Sequence, residues 1–487
     1  MTGPRIILGG APEGFDARLL LKELAKGAPV LHIARDDKRM EAMRAALAIY
    51  APGTVVLDLP AWDCLPYDRV SPNPEISARR MATLATLAGG LSGAFVLLTT
   101  MTSATQRLPA RETLRTASFA ARLGDRVDEG RLRGFLARMG FSPVSTVAEP
   151  GDYAIRGGIV DLWPPGTRGP IRLDFFGDQL DGIRRFDPVT QRTVEKLTGI
   201  EFAPMSEVIL DEAAITRFRQ TYRAEFGAGG SDDPLYEAVS AGRKHQGMEH
   251  WLPFFHARME TLFDYLPDAT VMLDDQVTPA RLSRWEGIAD AYDARPEAMN
   301  ARGRMDSVYK PCPPDQLYLD DAAWEAALRD TRVVQLSPLA QAPGPGVLDA
   351  GGRIGRSFAP ERQQENVSLF GALTDHLKAL LQDRQVVIAS WSDGARERLK
   401  GLLEDQGLTG AREVKDFREV PDGKGGLFLM VWALEAGFTA PGLAVISEQD
   451  VLGDRLAAKP RKKRKAENFL RDAESLSPGD LVVHVEH

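Results

Sequence analysis

Residues 5–110 alternate between short apolar runs and amphipathic stretches. The apolar runs are RIIL, PVLHIA, TVVLDL and AFVLLTT, and the stretches between them are FDARLLLKELA, DDKRMEAMRAALAIY and ISARRMATLATLAG. The first amphipathic stretch places Leu20, Leu21 and Leu24 on one helical face. Short apolar strands that alternate with amphipathic helices are typical of a parallel sheet covered on both faces. The pattern therefore predicts an α/β lobe of the nucleotide-binding type.

From about residue 150 to 205 the pattern changes to a period of two. The segments YAIRGGIVDLW, PIRLDFF and QLDGIRRFD are separated by PPG and GD turns, without an amphipathic helix between them. Such segments predict antiparallel strands joined as hairpins. The helical pattern returns after about 210, and the apolar strand ATVMLDDQ follows at 269–276. The β-rich segment is therefore predicted to be an insertion in the α/β lobe.

Residues 353–455 again alternate between strands and helices, but without a glycine-rich loop. Apolar runs such as QVVIASW and LAVISEQD alternate with the amphipathic stretches SLFGALTDHLKALLQD and GARERLKGLLEDQG. Residues 336–352, between the two α/β regions, are rich in proline and glycine and are predicted to be a linker. The fold class predicted for the chain is therefore multidomain α/β.

Composition narrows the classes of protein that need consideration. The 487 residues are 44% hydrophobic and 26% charged, which is ordinary for globular protein, and the net charge of −8 argues weakly against a chain that coats nucleic acid. The two cysteines, Cys64 and Cys312, are far apart and lack metal-ligand spacing, so neither a disulfide framework nor a metal site is expected. No signal peptide or membrane span is recognisable, and a cytoplasmic location is expected.

The stretch GGAPEGFD has glycines at the spacing of a phosphate-binding loop. In such a loop, backbone N–H groups cradle the phosphates, a lysine neutralises charge, and a serine or threonine holds Mg²⁺. Gly9 and Gly14 keep the backbone part, but Phe15 stands at the lysine position and Asp16 at the hydroxyl position. Because Asp16 and Glu13 would repel a triphosphate, tight ATP binding is not expected. Two interpretations stay open: a glycine-rich turn without a ligand, and a decayed ATP site.

A second element of the same lobe is degenerate. The strand VMLDDQ ends in Asp274 and Asp275, where a helicase-type ATPase needs Asp-Glu. The aspartate would organise the water shell of the metal, and the glutamate would orient the attacking water. The side chain of Asp275 is one methylene shorter than glutamate, and a displacement of about 1 Å can cost about 10²-fold in rate. The two elements together favour a nucleotide site that has lost its chemistry, and no catalytic residue is predicted.

The strand PIRLDFF carries an aromatic residue among charged ones. Its alternation predicts two faces, with Ile171, Leu173 and Phe175 inside and Arg172, Asp174 and Phe176 outside. In the neighbouring strand YAIRGG, Arg156 points away from Ile155. An exposed aromatic residue flanked by arginines is typical of a protein–protein hot spot. The alternative is that Phe176 packs beneath another element and that the arginines are merely solvated.

A run of basic residues, KPRKKRK, occupies residues 459–465. The simpler interpretation is a solvated linker, and the functional alternative is contact with a nucleic-acid backbone. The histidines show no ligand spacing, and no Ser-His-Asp or Cys-His arrangement is recognisable.

Taken together, these stretches resemble the N-terminal half of the bacterial transcription-repair coupling factors. The resemblance covers nearly the whole chain and rests on LPAWDCLPYDRVSPNPEISARR, YAIRGGIVDLWPPG, PIRLDFFGDQLDGIRRFDP, GMEHWLPFF and ISEQDVLGDR. That half is in turn similar to UvrB, the damage-verifying helicase of nucleotide excision repair, and DYLPDATVMLDDQ matches the region of its Asp-Glu motif. The stretch between AWDCLPYD and ISARR is too short for the aromatic hairpin that UvrB threads between DNA strands. The resemblance implies a RecA-like lobe without ATP-driven DNA loading.

The resemblance also implies partners. The inserted β subdomain of the family binds UvrA, and the positions that match its contact residues are Arg156, Arg172 and Phe176. The arginines are expected to bond to acidic UvrA residues, and Phe176 to act as an apolar anchor. The segment LSPGDLVVHVEH resembles the start of the domain that binds RNA polymerase. In the full-length family this domain and a duplex-DNA translocase follow, so the chain is expected to be part of a longer protein. ATP and Mg²⁺ belong to the translocase, and no cofactor is expected here.

The predicted organisation combines these observations. The predicted regions are the first part of a degenerate RecA-like lobe at 1–115, an inserted β-rich UvrA-binding subdomain at 116–210, the rest of the lobe with the linker at 211–349, a second small α/β domain at 350–455, a basic linker at 456–475 and the start of the polymerase-binding domain at 476–487. The predicted function is a non-catalytic module that recruits UvrA to RNA polymerase stalled at a lesion. The alternatives are an ATP-dependent, UvrB-like helicase subunit and a DNA-binding module that uses the basic run.

Overall fold

The structure, a computed structural model, describes residues 4–227, 233–301, 309–364 and 366–453, with the backbone alone for 295–301. The described chain divides into two compact units: unit 1 runs through Ile354 and includes Asp416–Arg418, and unit 2 comprises the rest from Gly355. The basic run at 459–465 and the region predicted at 476–487 lie outside the described residues. No helix among the described residues combines the length and the apolarity that crossing a membrane requires.

The first part of unit 1 alternates strands and helices, as the apolar pattern predicts. Its elements are β1 (Arg5–Gly9), α1 (Phe15–Leu24), β2 (Val30–Ala34), α2 (Asp37–Tyr50), β3 (Val56–Leu59), α3 (Pro74–Ala88), β4 (Val96–Thr100), α4 (Met101–Ala104) and β5 (Leu108–Pro109). Asp36 and Asn73 begin α2 and α3 by accepting hydrogen bonds from the N–H groups of Arg39 and Glu75. These side chains satisfy backbone donors that have no partner inside the helix.

A β-rich insertion follows. Its elements are α5 (Arg111–Thr116), β6 (Phe119–Arg122), α6 (Glu129–Arg138), β7 (Ser142–Pro143), β8 (Asp152–Arg156), β9 (Ile159–Leu162), β10 (Ile171–Phe176), β11 (Gln179–Phe186), β12 (Thr193–Leu197) and β13 (Gly199–Phe202). Strands β7 to β12 form one six-stranded sheet in sequential order, antiparallel from β8 to β12. The inner face of this sheet packs against α6, where Leu132 and Leu136 join Leu173 and Ile183 in one buried cluster.

The remainder of unit 1 returns to the first lobe. Its elements are α7 (Glu212–Phe226), α8 (Pro234–Ser240), a 3-10 turn (Met248–Trp251), α9 (Leu252–Phe255), β14 (Met259–Glu260), α10 (Leu262–Tyr265), β15 (Thr270–Leu273), α11 (Val277–Ala301), α12 (Pro314–Leu317), α13 (Asp321–Ala327), β16 (Val333–Leu336), β17 (Val347–Asp349) and β18 (Arg353–Ile354). The main sheet is parallel throughout, in the order β17-β1-β16-β15-β2-β4-β3. The carboxyl ends of β1 and β15 therefore lie at the same edge, separated only by β16.

The prediction of a linker at 336–352 is wrong for part of that segment. Residues Val347–Asp349 form β17, which pairs in parallel with β1 and completes the main sheet. Around this strand, the N–H groups of Ile7 and Ala350 donate to the carbonyl oxygens of Gly346 and Gly9. The proline- and glycine-rich composition of this segment gives no sign that β1 has an unpaired edge. Pairing with that edge orders Val347–Asp349 as a strand.

Unit 2 is a smaller α/β fold. Its elements are α14 (Ala359–Gln363), α15 (Leu369–Leu380), β19 (Gln385–Ser390), α16 (Asp393–Asp405), β20 (Arg412–Val414), a 3-10 turn (Phe417–Glu419, shared with unit 1), β21 (Leu427–Val431), β22 (Phe438–Ala440), β23 (Leu443–Ser447) and α17 (Glu448–Leu452). Within this unit the strand order is β22-β23-β19-β21-β20, and only β22 runs antiparallel. Buried residues of α15, α16 and the sheet form one core. A multidomain α/β fold with a parallel, RecA-like lobe is thus confirmed.

A buried ion pair ties the insertion to the first lobe. The guanidinium of Arg80, in α3, is fully buried and meets the carboxylate of Glu207, at the end of the insertion, with an Nε–Oε1 distance of 2.6 Å. Arg80 also donates to the carbonyl oxygen of Pro60, and Trp62 Nε1 donates to the same carboxylate. The charges therefore leave water together and compensate each other across the junction.

We expect Arg80→Met to lower the free energy of unfolding of unit 1 by about 3–5 kcal/mol, because it leaves Glu207 charged and buried without its partner. Urea unfolding monitored by circular dichroism measures this. Adding Glu207→Gln should restore most of the loss. The control Arg115→Met removes an exposed pair with Glu112 and should cost less than about 1 kcal/mol. Equal losses for the two single variants would contradict the assignment.

Candidate functional site

The opening loop between β1 and α1 keeps the shape of a phosphate loop. Gly10 and Gly14 adopt φ of 63° and 88°, values that favour glycine. A side chain at Gly9 would approach the backbone nitrogen of Gln341 to 2.9 Å. The glycines are therefore required by the turn itself and by the segment that covers it, whatever the loop binds.

The N–H groups of this loop are occupied by acceptors of the chain itself. The N–H groups of Gly10 and Ala11 donate to the carbonyl oxygens of Leu339 and Ser337, at 3.0 and 2.8 Å. The N–H groups of Phe15 and Asp16 both donate to the carbonyl oxygen of Pro12, at 3.0 and 3.1 Å. The N–H groups of Gly14 and Ala17 donate to Asp16 Oδ1, at 3.0 and 2.7 Å. A working phosphate loop directs such donors at its ligand. Here Asp16 provides the anion, and the ring of Phe15 is buried at the lysine position.

A buried arginine that the sequence analysis missed lies at the centre of the site. Arg39, in the first turn of α2, is 3% exposed and forms an ion pair with Asp16, which is 2% exposed. Its Nε lies 3.2 Å from Asp274 Oδ1 and 3.3 Å from Glu13 Oε1. One guanidinium therefore holds together the loop, the helix and the end of β15. The signal in the sequence was an arginine just after the second strand, where its helix begins at the same sheet edge.

A second arginine extends the network. Arg35 Nη2 lies 3.1 Å from Glu13 Oε1, and the N–H group of Arg35 donates to Asp274 Oδ2 at 3.5 Å. Of the two predicted acidic residues at the end of β15, Asp274 belongs to the network, whereas half-buried Asp275 takes no part in it. Arg35 Nε also lies 3.5 Å from Asp36 Oδ2, so in this network four carboxylates surround two guanidiniums without any ligand.

Burial shifts the titration of these groups. It raises the pKa of Asp16 to about 6, against the attraction of Arg39, and it also raises the pKa of Asp274. Burial alone would lower the pKa of Arg39, but its three carboxylate neighbours outweigh this and raise it. Beneath them, burial and Arg39 lower the pKa of His32 to about 3, so that ring is neutral. The cluster is organised as an internal ion network, and the described residues contain no group of His, Cys, Asp or Glu placed to hold a metal.

The second candidate region is the outer face of the six-stranded sheet, which carries Arg156, Arg172 and Phe176. Phe176 is 83% exposed, so the alternative in which it packs beneath another element is wrong. Its neighbour Phe175 packs toward the inner core, despite a bulge between Asp174 and Phe175. Arg156 is exposed on the adjoining hairpin, which meets β10 where the N–H group of Phe175 donates to the carbonyl oxygen of Gly158 at 2.7 Å.

The arginines of the outer face differ in their partners. Arg172 is only partly exposed, and its Nε and Nη2 donate to the two carboxylate oxygens of Asp161 at 2.7 and 2.8 Å. Its guanidinium also stacks over Phe186, 4.7 Å from the ring centre. The bond to Asp161 raises the pKa of Arg172. Arg156 instead donates to a neutral backbone oxygen, that of Ser145.

The insertion and the second unit both match known domain families. Residues 119–207 match the UvrB interaction domain, and residues 381–451 match the D3 domain of MFD. The fold and the family match together define a UvrB-type interaction domain on an α/β scaffold.

Similarity to whole proteins is consistent with these domain matches. The chain is 31% identical to the transcription-repair-coupling factor of Escherichia coli over 98% of its length, and 29% identical to that of Haemophilus influenzae over 99%. The factor from Myxococcus xanthus is 29% identical over 94% of this chain. The chain covers 41%, 41% and 40% of these relatives respectively. It matches the N-terminal part of the transcription-repair coupling factor.

We expect Arg39→Met to lower the free energy of unfolding of unit 1 by about 3–5 kcal/mol, because two buried carboxylates lose their counter-charge. Adding Asp16→Asn should restore part of this loss. The control Arg18→Met, on the exposed side of α1, should change the free energy by less than about 0.5 kcal/mol. Urea unfolding measures all three, and an Arg39→Met variant as stable as the control would contradict a central role.

The raised pKa of Asp16 predicts a specific dependence on pH. The folded state holds a proton up to about pH 6 that the unfolded chain releases near pH 3.8, so the stabilising contribution of this group is present at acid pH and is lost as pH rises through 6. The free energy of unfolding of the wild-type chain, relative to Asp16→Asn, should fall by about 2–3 kcal/mol between pH 4 and 7. Urea unfolding at several pH values measures it, and a constant difference would refute the shift.

Proposed function

We propose that the chain is a non-catalytic, UvrB-like interaction module that recruits UvrA, and with it excision repair, to RNA polymerase stalled at a lesion. The match to the UvrB interaction domain and the similarity to transcription-repair-coupling factors support this proposal. The observation that carries it is Phe176, an aromatic side chain left 83% exposed at the end of β10, in the sheet that also carries Arg156. Large aromatic side chains with neighbouring arginines are the residues that dominate binding energy at protein interfaces.

The absence of catalysis is part of the proposal. Nucleotide binding at the opening loop would require breaking the bonds that Asp16 makes to its own helix, and would place phosphates beside Glu13 and Asp274. The bound state would also have to expel the guanidinium of Arg39 from between two carboxylates. Since each of these changes leaves buried charge uncompensated, the network favours the loop without nucleotide.

We further propose the setting in which this module acts. In the full-length protein, an RNA-polymerase-binding domain and an ATP-dependent translocase on duplex DNA would release the stalled polymerase in the cytoplasm. ATP and Mg²⁺ would be used there, and this module would need no cofactor. Its contribution would be the contact with UvrA through Arg156, Arg172 and Phe176.

Phe176→Ala should weaken binding of UvrA by at least about 1–2 kcal/mol, or roughly tenfold, because it removes an exposed anchor without disturbing the core. Isothermal titration calorimetry of the 487-residue chain with purified UvrA measures the dissociation constant. The matched control is Leu123→Ala, a partly exposed apolar residue of the insertion outside the six-stranded sheet. It should bind as tightly as the wild type. Unchanged affinity for Phe176→Ala would reject the proposed binding face.

Arg172→Ala alone would be an ambiguous test. Asp161 is 3% exposed, and Arg172 is its counter-charge, so truncating the arginine would leave a buried carboxylate unpaired. Such a change typically costs several kcal/mol of stability, and the insertion could lose binding by unfolding. Arg172 is therefore best tested as Arg172→Gln together with Asp161→Asn, which removes both charges and leaves two polar side chains that can still hydrogen-bond to each other.

A further inference from the structure

The arginines of the outer face are not equivalent sources of charge. Arg172 is neutralised by Asp161, and Arg184 by Asp174, with an Nε–Oδ2 distance of 2.9 Å. The guanidinium of Arg156 meets only the carbonyl oxygen of Ser145. Among the described residues, no carboxylate forms an ion pair with it. Among the arginines of the outer face, Arg156 therefore presents the open positive charge. Exposed Lys196, which lies opposite Arg184 in the register of β11 and β12, is a second cation of this face.

Arg172 is held on two sides. Asp161 accepts from its Nε and Nη2, and the ring of Phe186 covers one face of the guanidinium. The N–H groups of Arg172 that Asp161 does not engage lie on the Nη1 side of the guanidinium. A carboxylate of a partner would have to compete with Asp161 for the same charge, whereas a carbonyl or hydroxyl oxygen could accept from Nη1 without disturbing the pair.

Arg156 lies in the same sheet as the exposed aromatic residue, two strands away and level with Asp174 in the register. It precedes the Gly157–Gly158 turn, whose carbonyl oxygen at Gly158 accepts from the N–H group of Phe175. Phe176 follows directly, with 83% of its surface exposed. A solvent-facing cation in the same sheet as an exposed ring is complementary to a carboxylate at the rim of an apolar pocket.

We propose that Arg156 is the residue of this face that pairs with an acidic group of the partner, and that Arg172 binds a neutral oxygen while Asp161 holds it in place. Asp161 is then a positioning residue. This inference rests on the proposed function, since the partner is the UvrA bound by the same face. It changes the expectation that both arginines form equivalent charge-assisted bonds.

Salt dependence separates the two roles, because screening weakens an intermolecular ion pair but hardly affects a bond to a neutral oxygen. The experiment is a fluorescence-anisotropy titration of the 487-residue chain with UvrA at several NaCl concentrations between about 0.05 and 0.5 M. The variants are Arg156→Gln, the pair Arg172→Gln with Asp161→Asn, and the control Arg131→Gln. Arg131 is exposed on α6, which packs against the opposite face of the sheet.

Arg156→Gln should weaken binding about tenfold at the lowest salt, and this difference should shrink to about threefold or less at the highest. The Arg172/Asp161 double variant should leave the slope of log Kd against log salt unchanged: its line should run parallel to that of the wild type, displaced toward weaker binding. Arg131→Gln should follow the wild type. A slope unchanged by Arg156→Gln, or flattened as much by the double variant, would overturn the inference. Failure of the unmodified chain to bind UvrA would instead reject the proposed function itself.

Discussion

The opening lobe depends on one electrostatic constraint: a guanidinium buried at the carboxyl edge of a parallel sheet must be surrounded by carboxylates. Arg39 meets this constraint through Asp16 in the opening loop and Asp274 after β15. Because a buried charge without a partner is costly, the three elements that supply these groups are fixed relative to one another. The same contacts occupy the loop donors that would otherwise face a phosphate. A structural ion network thus occupies the position that a ligand holds in a working phosphate loop.

Unit 2, considered by itself, also contains a buried carboxylate that an arginine neutralises. Glu448, the first residue of α17, is buried just beyond β23 and accepts from the N–H group of Trp391 at 3.0 Å. Arg398 in α16 neutralises it, with an Nη2–Oε1 distance of 3.0 Å. Helix N-termini and free N–H groups at the carboxyl edge of a parallel sheet attract anions. In each unit a carboxylate of the chain itself provides the anion.

The sequence could predict the helices and strands and which side chains share a face, but not the partner of each charged side chain. The period of two along β10 predicted that Arg172 and Phe176 share a face. The exposure of Phe176 confirms that its side chain lies on the outer face. The pairing of Arg172 with Asp161 depends on the register between β9 and β10, which alternation does not determine. Similarly, Asp16 and Asp274 were identified as acidic residues unsuited to ATP. Their counter-charge, Arg39, comes from a different helix and becomes visible only once the sheet is assembled.

These charge pairings also explain how the proposed interaction face can stay ready for a partner. An exposed aromatic side chain gains little from the folded chain itself, so its position must be fixed by its backbone and its neighbours. Several features restrain the surroundings of Phe176 without covering it: the bulge of β11 opposite Asp174 and Phe175, the Asp161–Arg172 and Asp174–Arg184 pairs, and the Arg80–Glu207 junction. Most charged groups of the outer face are paired within the chain. The ring of Phe176 and the guanidinium of Arg156 are therefore the groups whose contacts with a partner would add most to binding. A rigid sheet with few unsatisfied groups therefore favours selective binding over general attraction to acidic surfaces.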